Sequence, residues 1–339
     1  MKRLKRKFSK EVEDGIENPK LRKKEKFDFA NVVSTGSLPL DLAISGGRRK
    51  WGGIPSGMIM EIYGPEGSGK TALLAEIIAS AQVRGGEAKV GDPESRLDQE
   101  YAKIYGMVLS KKGYYMPDVV EEVFDKTRKW FPNDPTLVNV MGVDSLAALS
   151  TALELEKGDK MGMKRAKDFS AGFRIVSRHI KKNGILMACT NQVREGDHGE
   201  VTPGGRAVRF YSSLRLRVSM SQPLIKTTKI YNKKVEKVVG IESTVYVKKS
   251  TVDAPYREAK IFIVFNYGID DVLGNLQYIK DITNNTMYGA IDHEYQSKWQ
   301  AIRHIEEMSY QKKLRRKVLD IWQEVEEKFK TERLPKVRF

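Results

Sequence analysis

A single cysteine in 339 residues closes off two kinds of chemistry. Cys189 has no second thiol for an intrachain disulfide and cannot anchor a cysteine-based zinc site. In the apolar run GILMACT it reads as a small buried strand residue. Long hydrophobic runs are missing as well: no stretch approaches the roughly 18 apolar residues that span a bilayer, so no membrane association is expected. The opening MKRLKRKFSKEVEDGIENPK is charged but has no apolar h-region behind it, which argues against a secretory signal and predicts a protein that stays inside the cell. Internal repeats and low-complexity tracts are absent too.

Acidic charge is the other shortage. Against 60 Lys and Arg stand 44 Asp and Glu, a net charge of +16. A surplus of that size favours an extended polyanion such as nucleic acid over a small neutral substrate, with a solvated basic surface as the plainer alternative. Residues 1–26 alone carry 11 basic against 5 acidic side chains and read as a basic arm, with a helix from about Lys10 to Glu17 that Pro19 would end. Hydrophobic residues at 40% and charged ones at 31% fit a soluble folded chain, long enough for one large domain and a small one.

After the arm, strand-like and helix-like patterns alternate. GMIMEIYG, AKVGD, LVNVMGVD and GILMACT read as strands, and TALLAEIIASAQV, DVVEEVFDKTRKWF and MKRAKDFSAGFRIVSRHIKK as helices between them. Such alternation implies an α/β fold with a mostly parallel sheet covered on both faces. From Ser212 to Phe265 the pattern turns β-rich, in SLRLRVSM, STVYVKKS and AKIFIVF, and predicts antiparallel strands that extend the sheet. The division expected is a basic arm over 1–30, a core over 31–270 and a small α-rich domain over 271–339, which includes the amphipathic KKLRRKVLDIWQEVEEKF.

GPEGSGKT, from Gly64 through Pro65, Glu66, Gly67, Ser68, Gly69 and Lys70 to Thr71, fits the spacing G-x-x-x-x-G-K-S/T between a strand and a helix. Glycines let the backbone curl until several N–H groups face phosphate, and the following helix adds its positive end. Lys70 then supplies charge to the β and γ phosphates of a nucleotide, and the Thr71 hydroxyl a ligand for Mg²⁺. A second acid is expected at the end of a neighbouring strand; Asp144, followed by Ser145, meets that need. Glu94 in VGDPESRLD is the carboxylate placed to orient or deprotonate water, with Asp92 as its rival.

With these residues assembled, the chain resembles the RecA-type homologous recombinases, in some features their phage relatives of the UvsX kind. The likeness runs from about Val33 to Gly268 and rests on an ordered series: STGSLPLDLAISGG, EIYGPEGSGKT, DPESRLDQEYAKIYG, VDSLAAL, TNQVR, TPGGRAVRFYSSLRL and DAPYREAKI. The resemblance implies a P-loop ATPase core of the RecA type, a DNA-dependent ATPase that forms helical filaments on single-stranded DNA and pairs it with homologous double-stranded DNA. It implies Glu94 as catalytic carboxylate, Tyr101 as a stacking partner for adenine and Gln192 as the sensor of the γ phosphate. Two loops, about Glu154–Met163 and Val193–Arg206, would bind DNA through Arg165, Lys167, Arg194 and Arg206, with Gly204 and Gly205 opening the backbone and Met161 parting stacked bases. Solvated charges and a core methionine are the plainer readings of these residues. A cytoplasmic protein is implied, on the nucleoid or, for a phage-encoded chain, in the host cytoplasm.

Nucleotides in this family lie between subunits, so the chain is expected to self-associate. Lys249 matches one of two lysines that reach a neighbour's phosphates, while Thr251 stands at the other position, so the charge there is either reduced or supplied by adjacent Lys248. The second loop is short and has no aromatic residue where bacterial members do, and FDFA, Phe27 to Ala30, resembles a docking motif of eukaryotic recombinases, with packing onto the chain's own core as the plainer reading. Two rival readings use the same residues: a ring-forming helicase or motor of this fold, and an accessory single-strand binder that uses ATP as assembly glue.

Overall fold

The computed structural model describes residues 31–46, 51–151, 162–196 and 199–333. The arm over 1–30 with its Phe27–Ala30 motif, Met161, and nearly all of the loop over 154–163 lie outside the described residues. Strand β1 (Val32–Val33) pairs antiparallel with β2 (Ile54–Pro55), and helix α1 (Leu38–Ser45), buried along its whole length, lies between them in sequence. Next come β3 (Met58–Gly64), α2 (Lys70–Val83), β4 (Ala88–Gly91), α3 (Gln99–Ile104), β5 (Tyr114–Tyr115), α4 (Val120–Arg128) and β6 (Asn139–Val143). Helix α5 (Gly162–Lys182) leads to β7 (Ile185–Gln192), the short strands β8 (Arg194–Gly196) and β9 (Gly199–Val201), and α6 (Gly205–Tyr211). Strands β10 (Leu214–Ile230), β11 (Lys233–Ser250), β12 (Glu258–Val264) and β13 (Gly268–Ile269) follow, then α7 (Asp271–Thr283), β14 (Tyr288–Ala290), β15 (His293–Tyr295), α8 (Lys298–Glu307) and α9 (Gln311–Lys328).

Among the described residues, nine strands form one sheet in the order β13-β12-β11-β10-β3-β7-β6-β4-β5. The six from β10 to β5 pair in parallel, and β10 to β13 pair antiparallel, as the alternating and then β-rich sequence implies. Side chains alternate across a strand, so each central strand feeds two cores. Met60, Ile62, Leu186 and Ala188 pack with Leu73, Ile77 and Ile78 of α2. Ile59, Met141, Met187 and Cys189 pack on the other face with Phe169, Phe173 and Val176 of α5. Central strands buried on both sides read as continuous apolar runs for this reason.

Two regions go beyond what the sequence pattern suggests. Strands β10 and β11 continue past the sheet as a long ribbon, paired from Leu214↔Ser250 out to Ile230↔Lys233, with Tyr231 and Asn232 at φ of 47° and 62° in the turn. Pro223 and five lysines between 221 and 242 hide this strand signal; an exposed ribbon has no buried face to impose apolar alternation. Residues 271–333, suggestive of a small separate domain, share a core with the front of the chain: Leu276, Ile305, Leu314 and Val318 belong to the same apolar cluster as Leu40 and Phe262. Asp271 ties the ends together by accepting from Leu38 N (2.7 Å) and from Arg315 (2.5 Å).

The same packing strands a carboxylate. Glu76 of α2 accepts from Ile269 N at 3.1 Å, and burial pushes its pKa up to about 7, the Ile269 hydrogen bond opposing and the Asp271 and Asp41 charges adding to the rise. Asp41, also by burial, is pushed up to about 6. A carboxyl with a raised folded-state pKa contributes stability that is fully present below its ordinary value and lost as pH rises through the folded one. The thermal midpoint should therefore fall between about pH 5 and about pH 8, and Glu76→Gln should flatten that slope and raise the midpoint at about pH 8. Calorimetry across the range checks this; a variant with an unchanged slope would remove Glu76 as the cause.

Candidate nucleotide site and its connection to the basic loops

The loop from Gly64 to Thr71 carries the end of β3 into the first turn of α2. Gly67 and Gly69 hold φ of 69° and 93°, which favours glycine at both, and a Cβ on Gly69 would also push aside the Ile263 Cδ1 methyl, 2.2 Å away. The Ser68 hydroxyl donates to Pro65 O (2.8 Å), and Ser243 of β11 donates to Ser68 O (2.9 Å). The loop is thus pinned both internally and from the antiparallel part of the sheet. Buried Lys70 donates to Gly64 O (3.0 Å) and Pro65 O (2.6 Å). Burial lowers its pKa, while the charges of Asp144, Glu66 and Glu94 raise it.

A cavity of about 300 Å³ opens over this loop. Glu66, Gly67, Gly69, Lys70 and Thr71 line it, with Glu94 and Arg96 from the segment after β4, and Tyr101 and Tyr105 from α3 and its end. Asp144, Ser145, Thr190 and Gln192 reach it from the ends of β6 and β7. Burial pushes the Asp144 carboxyl up, and hydrogen bonds from the Thr190 and Thr71 hydroxyls hold it down. Thr71 and Asp144 bring hard oxygen donors together beside a phosphate cradle, a set that suits Mg²⁺. Glu94 is 16% exposed and meets Arg96 at 2.9 Å; burial raises its pKa and the guanidinium lowers it. Its rival Asp92 accepts from Leu97 N (2.8 Å) and Tyr114 OH (2.9 Å), so it braces the loop and does not line the cavity. The Tyr101 and Tyr105 rings stand 5.0 Å apart.

Strand β7 reaches the cavity on one face and the basic loop on the other. Thr190 and Gln192 line the cavity, and Gln192 sits in register with Gly64. Asn191 between them points the opposite way and donates to Glu61 Oε1 (3.0 Å) and to Pro203 O (3.0 Å), where the segment after β9 turns into α6. Glu61 in turn accepts from Arg215 Nε at 2.6 Å, and the Arg215 guanidinium lies 4.3 Å from the Tyr63 ring centre. Two positions along β10, Arg217 forms a bidentate pair with Glu200 of β9 at 2.8 and 2.5 Å. Gly204 is buried against Phe169 and Val208, and a Cβ on Gly205 would lie 3.6 Å from Ala166 Cβ. The start of α5, with half-buried Arg165 and exposed Lys167, therefore lies beside exposed Arg206, while exposed Arg194 opens β8.

Lys248 and Lys249 stand apart from the cavity. Lys249 donates to the carbonyls of Arg209 (2.8 Å) and Phe210 (3.0 Å) at the end of α6, and Lys248 lies over the Tyr246 ring at 5.1 Å. Sequence reasoning passed over Arg96, Thr190 and the Glu61–Asn191–Arg215 set. Arg96 is two residues from Glu94 in DPESR, and Glu61 and Arg215 are lone charges in apolar strand runs, but only the sheet order makes the latter two neighbours.

The RecA N-terminal domain family model matches residues 1–270. Protein RecA of Thermus thermophilus is 39% identical over 249 residues, covering 71% of this chain and 69% of the relative. Protein RecA of Deinococcus radiodurans is 37% identical over 261 residues, covering 75% of this chain and 68% of the relative. Protein RecA of Thermus aquaticus is 38% identical over 250 residues, covering 72% and 69%.

Glu61 and Arg215 form a buried pair, and removing one member of such a pair leaves the other charge uncompensated. Arg215→Met should cost about 3–5 kcal/mol in urea unfolding, and the double variant with Glu61→Met should recover much of it. A single variant as stable as the parent would show that the pair does not hold these strands together.

Proposed function

The chain belongs to the RecA family of recombinases of DNA recombination and repair, and on that premise we propose that ATP bound at the Gly64–Thr71 loop sets its grip on single-stranded DNA through β7. Filament formation and strand exchange are typical of the family, and its members are DNA-dependent ATPases. The observation that carries the reading is the divided end of β7, where Gln192 faces the nucleotide cavity and adjacent Asn191 holds Pro203 O at 3.0 Å. A γ phosphate that engages Gln192 shifts one end of the segment that carries Arg194, Gly204, Gly205 and Arg206. One strand end then biases two sites, which is the physical requirement for coupling.

At the nucleotide, Lys70 exchanges the carbonyls of Gly64 and Pro65 for phosphate oxygens, and Tyr101 offers its ring to adenine. Thr71 and Asp144 would hold Mg²⁺, which would supply positive charge beside the phosphates. Glu94, its pKa raised by burial, accepts a proton from the attacking water, with Arg96 fixing the carboxylate. Lys248 and Lys249 of a neighbouring subunit complete the site; Lys249 gives up its bonds to the end of α6 to do so. Arg165, Lys167, Arg194 and Arg206 hold the DNA backbone, so sequence is read by base pairing with a homologous duplex. The arm over 1–30 and Met161 are assigned to self-association and to base separation respectively.

Single-stranded DNA should strongly stimulate ATP hydrolysis, and Lys70→Ala should abolish it in a phosphate-release assay. Equal rates with and without DNA would sink the coupled mechanism. In oligonucleotide binding with ATP present, Arg194→Ala should make the log–log salt slope shallower by about 0.7, one phosphate contact's share. An unaltered slope would take Arg194 off the DNA.

A further inference from the structure

Two of the chain's four histidines meet at a corner that the nucleotide and DNA chemistry leave unused. His293 opens β15, His304 lies in the last turn of α8, and Asp292 stands between them in space. Asp292 Oδ1 accepts from His304 Nε2 at 2.7 Å and lies 3.3 Å from His293 Nδ1. The ligand atoms of all three residues lie within 4.8 Å of one another. Two further contacts orient the group. The Tyr310 hydroxyl donates to Asp292 Oδ2 at 3.3 Å, and the His304 ring, 15% exposed, is flanked by the rings of Tyr295 (5.6 Å) and Tyr310 (6.0 Å).

The backbone that presents Asp292 and His293 is strained. Asp292 N donates to Ala290 O at 3.0 Å, which closes a γ-turn at Ile291 with φ of 71°. A β-branched residue is rare in that region, and such strain concentrates at ligand clamps. The turn aims two donors at a third carried by a helix.

We propose that Asp292, His293 and His304 form a binding site for a first-row transition-metal dication of the zinc class, tying the β14–β15 turn to α8. Two imidazoles and one carboxylate are a donor set for such ions, with a fourth, solvent-facing position left for water. Atoms bound to one tetrahedral ion at about 2.0–2.1 Å lie roughly 3.3 Å apart. The His293–Asp292 separation already has that value, and the His304–Asp292 pair needs to open by about half an ångström. On binding, His304 trades its Nε2–H bond to Asp292 for coordination through the same nitrogen and keeps a proton on Nδ1. Mg²⁺, which prefers oxygen ligands, does not compete here. The ion acts as a staple, because Ala290, Ile302 and Ile305 around it already belong to the main apolar cluster.

The test uses the full-length protein, stripped with a chelator and titrated with Zn²⁺ by calorimetry in excess Mg²⁺. One tight equivalent is expected, together with a rise in thermal midpoint. His293→Ala and His304→Ala should each weaken binding at least about tenfold and remove the thermal shift. His293 is 63% exposed and its ring meets only those of Tyr295 and His304 among the described aromatic residues, so its replacement leaves the apolar core alone. Co²⁺ as a spectroscopic probe should give visible bands of a four-coordinate ion that both variants lose. Absence of saturable binding in the parent, or binding that survives in both variants, overturns the proposal.

Discussion

One amide side chain holds the two halves of the site together. Asn191 joins the P-loop strand, through Glu61, to the backbone at Pro203 that leads into the basic segment. It does so from the end of β7, where its neighbours Thr190 and Gln192 face the nucleotide cavity. Strand geometry makes the arrangement possible, because neighbours in a strand point to opposite faces. A helix at that position would send consecutive side chains around an axis and could not divide them between two compartments.

The division has an electrostatic cost that the surrounding residues offset. Glu61 is completely buried, with Arg215 as a cation and Asn191 as a neutral donor on its carboxylate, and the Tyr63 ring packs on the Arg215 guanidinium. Further along the same face, Glu200 and Arg217 anchor the β8–β9 hairpin with two parallel hydrogen bonds. Arg194 of the same hairpin stays exposed.

On the opposite face the chain is closed by its own ends. Helix α1 packs with α7 and α9, and Asp271 joins Leu38 N to Arg315. Packing this tight leaves Asp41 and Glu76 in surroundings that favour their neutral forms. The metal-ligand group at the β14–β15 turn sits on this same body, where an ion would reinforce contacts already made by Ala290 and Ile305.

The sequence by itself determined the order of strands and helices in the core, because doubly buried strands must be apolar and the helices over them either amphipathic, as α5 is, or apolar nearly all round, as α2 is. It also determined the phosphate loop, since the glycines, Lys70 and Thr71 do their work within eight consecutive residues. Lys70, Thr71, Glu94, Tyr101, Asp144 and Gln192 could be named from motif and resemblance, and all six line one cavity. Only the tertiary structure decided who neighbours whom across the sheet. Glu61 and Arg215 are 154 positions apart in the chain, and their pairing depends on β10 inserting beside β3. Histidines 293 and 304 meet only because a γ-turn and a helix end converge. Local chemistry is written in short stretches that a reader can scan, whereas long-range contacts depend on strand order and register, which no local spacing encodes.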